Sequence, residues 1–156
     1  MTNRTLFSLP LLVAALLAAP RTNAQAWQWA RDLGGTDADI GNDVCLDPQN
    51  NVHVAGWTLG EVTGDCATLS GSGASSIFLA EYDPFGACLW SRVDGGPGDD
   101  VARGIATDAQ GNTFITGSYS TLAQFGTVTL GAQGDADVFV AKYGPDGDFL
   151  WVAHGG

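Results

Sequence analysis

Residues 76–90, SIFLAEYDPFGACLW, and residues 137–151, DVFVAKYGPDGDFLW, are one pattern written twice, 61 positions apart. In each, a mainly apolar run (Ile77 to Tyr82, Val138 to Tyr143) leads through Pro84-Phe85-Gly86 or Pro145-Asp146-Gly147 to a Leu-Trp pair. Proline presets φ and glycine accepts a positive one, so the Pro-x-Gly stretch reads as a tight turn between two strands. Apolar residues at consecutive positions predict a strand buried on both faces, because a sheet with one wet face would alternate.

The same offset extends outward without a gap. Trp29, Trp90 and Trp151 are spaced by 61 and 61, and Arg31, Gly34, Asp39, Asp47 and Asn51 recur as Arg92, Gly95, Asp100, Asp108 and Asn112. Residues 29–95 against 90–156 give 20 identities in 67 positions, about 30%. Thr68-Leu69 against Thr129-Leu130, with Gly73 against Gly134, bring even the looser middle into the repeat. Each unit carries four strand candidates: near 43–46 and 103–107, 52–58 and 113–120, 77–82 and 138–143, and 89–93 and 150–153. The first two are separated by Asp47-Pro48-Gln49-Asn50 or Asp108-Ala109-Gln110-Gly111, both turn-forming. A four-stranded unit stacked on copies of itself is the logic of a β-propeller. The fold class expected is therefore all-β, tandem four-stranded antiparallel blades of a partial propeller, with a two-sheet β-sandwich as the alternative. The boundaries drawn are 27–43 for a strand of an incomplete blade and linker, 44–95 for the first blade copy and 105–156 for the second.

Gly95-Gly96-Pro97-Gly98-Asp99-Asp100, Gly111-Asn112-Thr113-Phe114-Ile115-Thr116-Gly117 and Asp137 to Tyr143, closed by Gly147-Asp148-Phe149-Leu150-Trp151, resemble the bacterial seven-bladed β-propeller repeat (SBBP repeat) family. The resemblance covers residues 27–156. It departs in the first copy, with Thr36-Asp37-Ala38-Asp39 for the Gly-Asp-Asp stretch and Trp57 for a small polar residue. It implies secreted or cell-surface bacterial proteins with no single established activity, and no catalytic residues to carry over. Closed propellers need roughly 4 to 8 blades, so two copies lead us to expect a fragment of a longer chain, a truncated gene, or closure by self-association.

The N-terminus adds a compartment. Arg4 followed by the run from Leu6 to Ala19, broken by Ser8 and Pro10, has the n-region and h-region of a secretory signal. The run is too short for a membrane span, which takes roughly 20 apolar residues. Residues 1–26 read as a signal peptide cleaved after Ala26, or after Ala24, and the mature chain is expected to be secreted or surface-exposed without membrane insertion. Removing Arg4 and Arg21 leaves 4 of the 6 basic residues against 17 acidic ones, a formal charge of −13. Such a surface repels phosphate backbones, which excludes nucleic acid as a partner.

Candidate chemistry is sparse. Gly-x-Ser-x-Gly, His-Glu-x-x-His and Cys-x-x-Cys are absent from the sequence. No catalytic residue and no cofactor is assigned, calcium excepted. Asp37, Asp39 and Asp43, with Asp99 and Asp100 at the matching turn, could supply oxygens to calcium, although turn formation alone accounts for Asp and Gly there. His53 and His154 face Phe114 and Val93 in the repeat comparison, so neither belongs to the repeat framework. Trp57, also unrepeated, is a candidate to stack on a glycan or protein partner. Cys45, Cys66 and Cys88 allow one disulfide with the pairing open. Two functions follow: a non-enzymatic scaffold or binding module whose segments 57–75 and 118–136 vary, or a carbohydrate-active or other hydrolytic propeller using dispersed carboxylates. The first is preferred, because the acid clusters coincide with turns.

Overall fold

The computed structural model describes residues 28–156 apart from residue 67; the segment 1–26, expected to be a signal peptide, and Trp27 lie outside the described residues. Twelve strands run in chain order: β1 (Asp39–Leu46), β2 (Val52–Thr58), β3 (Glu61–Thr63), β4 (Thr68–Ser70), β5 (Ser76–Tyr82), β6 (Cys88–Asp94), β7 (Asp100–Thr107), β8 (Thr113–Tyr119), β9 (Leu122–Phe125), β10 (Val128–Gly131), β11 (Asp137–Tyr143) and β12 (Phe149–Gly155). Two four-stranded antiparallel sheets, β1-β2-β5-β6 and β7-β8-β11-β12, are the two blades. Irregularities also repeat: β1 bulges between Gly41 and Asp43, and β7 between Ala102 and Gly104.

The turns form for the reasons their residues supply. Oδ1 of Asp47 accepts the backbone N–H groups of Gln49 and Asn51, both at 2.8 Å, and Oδ1 of Asp108 accepts those of Gln110 and Asn112 at 2.9 Å. The same turn position is left-handed in both copies, with Asn50 at φ 64° and Gly111 at φ 80°, and Asn and Gly tolerate that region best.

Segments 57–75 and 118–136, expected as variable connections, each contain a hairpin, β3–β4 and β9–β10. Their strands have three or four residues, too few for a period to show in the sequence. Each hairpin reaches back to the preceding unit, Thr63 bridging Gly34 and Gln124 bridging Gly95. The disulfide is Cys66–Cys88, fastening the β3–β4 turn to β6 and leaving Cys45 free. Closing a loop of this 22-residue separation stabilises by about 3 kcal/mol in the chain-entropy account.

The blade joint is written twice as well. Trp29 Nε1 donates to the carbonyl of Pro84 at 3.1 Å, and Trp90 Nε1 to that of Pro145 at 3.0 Å. Arg31 and Arg92 likewise donate to the carbonyls of Gly86 and Gly147. The glycines are required by contact: a Cβ would lie 2.7 Å from the Trp29 indole at Gly86 and 2.6 Å from the Trp90 indole at Gly147. Segment 28–33 thus covers one face of the first blade as β6 covers the same face of the second, a relation that a two-sheet sandwich lacks.

Burial follows from this stacking. All seven residues of β5 are buried, Ile77, Leu79 and Glu81 toward the second blade and Phe78, Ala80 and Tyr82 toward segment 28–33. In β11 the burial alternates: Phe139, Ala141 and Tyr143 are buried in the joint, while Val138 is 61% and Val140 41% exposed. Between the blades Ile77, Leu79, Ile115, Phe139 and Tyr143 form one core, with the Phe125 and Phe139 rings 4.7 Å apart.

Gly111 and Gly147 share nearly the same positive φ, but only Gly147 has an indole against it. Gly111→Asn, copying the first blade, is expected to leave stability nearly unchanged, whereas Gly147→Ala should cost about 2–4 kcal/mol from left-handed strain plus overpacking. Urea unfolding of the two variants checks the difference.

Candidate functional site

The five acids read as calcium candidates lie along the entries to β1 and β7. Asp39 holds the turn before β1, its Oδ2 accepting the N–H of Gly35 at 2.7 Å and its Oδ1 the Thr58 hydroxyl. Asp100 does the same before β7, Oδ2 accepting from Gly96 N–H at 2.6 Å. Asp43 ties the blades together, its Oδ2 accepting the N–H of Ile105 at 2.9 Å. Asp99 takes a long hydrogen bond from the Ser75 hydroxyl at 3.4 Å, and Asp37 is exposed before β1. Trp57 lies half-buried in β2, opposite Ile40 on one side and Ile77 on the other.

The side chains that do converge are others. Among the described residues, the cluster of three or more His, Cys, Asp or Glu side chains with facing ligand atoms is Asp47, His53 and Glu81, all within 4.8 Å of one another and all buried. Asp47 opens the β1–β2 turn, His53 lies in β2 and Glu81 opposite it in β5. His53 Nε2 lies 3.6 Å from Asp47 Oδ2 and 3.8 Å from Glu81 Oε2. Asn51 spans the two carboxylates, its Nδ2 donating to Asp47 Oδ2 at 3.0 Å and to Glu81 Oε1 at 2.7 Å. His53 Nδ1 is hydrogen-bonded to Thr113 Oγ1 of the second blade at 3.0 Å. His53 Nε2 and Glu81 Oε2 are buried without a hydrogen-bond partner. Burial pushes the Glu81 carboxyl above its ordinary range, and the imidazole opposes that rise.

Sequence reasoning treated Asp47 as a turn former and His53 as an unrepeated strand residue. Its available signal was a paired exchange at one repeat site, His53 for Phe114 and Glu81 for Lys142, with Asp47 and Asp108 common to both.

Two further surfaces flank the blades. A groove of about 360 Å³ lies on the second blade, lined among others by Asp43, Ile105, Phe114 and Val140. One of about 220 Å³ lies on the first blade between Trp29, Arg31, Leu33, Val54, Phe78 and Tyr82.

Tandem four-stranded antiparallel blades joined by one repeated contact define a β-propeller repeat architecture. In agreement, residues 28–61 match the family model described as SBBP, Beta-propeller repeat. The chain is also similar to an uncharacterized WD repeat-containing protein of Acanthamoeba polyphaga mimivirus, 27% identical over 80% of this chain and 11% of that relative. The chain thus matches about a ninth of the relative's length.

Asp100 gives the joint a pH dependence. It is fully buried with Oδ1 unpartnered, and burial raises its pKa from 3.8 to about 6. The folded state therefore holds this proton more tightly than the unfolded chain. Its stabilising contribution is complete below about pH 4 and is lost as pH rises through 6. Melting temperatures from pH 4 to 7 should show this decline in the parent relative to Asp100→Asn, in which that component disappears.

Proposed function

We propose that the protein is an exported, secreted or cell-surface β-propeller module that acts as a scaffold or binding surface, with further blades or a second copy completing the ring. The observation that carries this reading is the second blade's outer face. Val138 and Val140 stand exposed at the repeat positions where Ile77 and Leu79 are fully buried by the neighbouring blade. Sealing a side chain of this size from water is worth roughly 1.5–3 kcal/mol, so the face favours another blade.

Export is supported by the 1–26 segment and by the Cys66–Cys88 disulfide, a bond that persists in oxidising compartments. The binding reading is favoured over the hydrolytic one by where the acids sit. Asp39, Asp43 and Asp100 are engaged by backbone N–H groups, and Asp47 and Glu81 are closed into the joint beside Asn51. Hydrolysis of a polysaccharide needs two carboxyl groups flanking an open cleft.

Val138→Asp combined with Val140→Asp tests the outer face. The parent protein is expected to self-associate in gel filtration as concentration rises, and the variant to run as a monomer with an unchanged melting temperature. The matching Ile77→Asp and Leu79→Asp changes should unfold the protein instead. A parent that stays monomeric at all concentrations, with no added blades, rejects closure by a second copy.

A further inference from the structure

We infer that Asp47, His53 and Glu81 form a binding site for a first-row divalent cation of the zinc type within the first blade, on its face toward the second.

The two blades solve the same position differently. In the second, Lys142 Nζ donates to Asp108 Oδ2 at 3.2 Å and lies 4.7 Å from the centre of the Phe114 ring. The acid common to both blades therefore meets a positive charge carried by the chain itself. In the first blade the lysine is replaced by Glu81 and the phenyl ring by the His53 imidazole. The local cation is gone, a second carboxylate has arrived, and the ring now offers a nitrogen lone pair. Two carboxylates closed into a joint with only an imidazole between them are costly. Every change relative to the second blade adds a metal donor.

The geometry agrees. Edges of a tetrahedron around zinc, with ligands at about 2.0–2.1 Å, measure roughly 3.4 Å. The Nε2 to Oδ2 and Nε2 to Oε2 separations of 3.6 and 3.8 Å need only a slight contraction to meet it. The two unpartnered buried atoms, His53 Nε2 and Glu81 Oε2, are two of the three donors. Asp47 keeps Oδ1 for its turn and turns Oδ2 toward the imidazole. With Nε2 as ligand, Nδ1 carries the proton and donates to Thr113 Oγ1, the kind of outer contact that fixes a ligating imidazole. One nitrogen with two carboxylate oxygens suits zinc and its neighbours better than calcium, which prefers six to eight oxygens.

Titration of chelator-treated protein with zinc chloride at neutral pH is the test, read by calorimetry and by melting temperature. One ion per chain and a rise of about 5–10 °C at saturation are expected. Cys45→Ser should keep both, since the free thiol is not a donor. Glu81→Gln, which preserves the bond from Asn51, should weaken zinc binding at least tenfold and melt higher than the parent without metal. His53→Phe with Glu81→Lys, the second blade's own residues, should fold with a melting temperature indifferent to zinc. No heat and no thermal shift in the parent overturns the site, as does undiminished binding in Glu81→Gln, or binding lost in Cys45→Ser.

Discussion

The contact on which the stack depends is the indole of one unit lying on the Pro-x-Gly turn of the next. It combines three requirements that no single substitution meets: an N–H aimed at the proline carbonyl, a flat apolar face, and a turn glycine with no side chain. The arginine two residues on adds a donor to the glycine carbonyl, so two turn carbonyls are satisfied from outside their own blade. Because the acceptors are backbone atoms, the joint tolerates Phe85 exchanged for Asp146 between the fixed Pro and Gly positions. That is how the period of 61 persists while two thirds of the residues differ.

Legibility divides along the range of the interactions. The Asp-led turns, the Pro-x-Gly turns and the double burial of β5 were readable because Pro, Gly, Asp and runs of apolar residues act within a few positions of themselves. The hairpins β3–β4 and β9–β10 were not, since strands of three or four residues carry no period and are held by single bridges to Gly34 and Gly95. The start of β1 at Asp39 and of β7 at Asp100, ahead of the expected strands, has the same origin: Asp after Gly-rich sequence signals a turn, whereas these carboxylates cap the turn from within the strand. β11 was expected to be buried on both faces like β5, but its burial alternates, because burial belongs to the neighbour as much as to the strand.

The Asp47, His53 and Glu81 cluster escaped a reading by motif for a related reason. Its members come from a turn and two strands, and only the antiparallel register that sets His53 opposite Glu81 brings them together. The repeat still contained the information in the form of differences. Where one copy keeps Asp108 with Lys142 and the other keeps Asp47 with Glu81, the charge at one position of the fold changes by two units. Comparing copies for what they fail to share is therefore more informative here than searching for what they conserve, since the shared residues build turns and joints.

Of the four basic residues after residue 26, Arg31 and Arg92 donate to turn carbonyls of the next blade, and Lys142 to Asp108. Arg103, at the bulge of β7, is exposed. Three of the four positive charges are thus engaged by the repeats themselves, while acids such as Asp37, Asp43 and Asp99 remain at the surface. The outward field is negative and the outer sheet face is apolar, two properties that act on different encounters. Like-charged surfaces repel at distances up to about a Debye length, near 10 Å, so loosely oriented approach of two such chains is disfavoured. Only an approach that lays the Val138 and Val140 face on another sheet gains enough buried apolar area to overcome that repulsion, since Trp29 and Trp90 already occupy both Pro-x-Gly turns. The acidic surface and the apolar outer face together select ordered stacking over indiscriminate association.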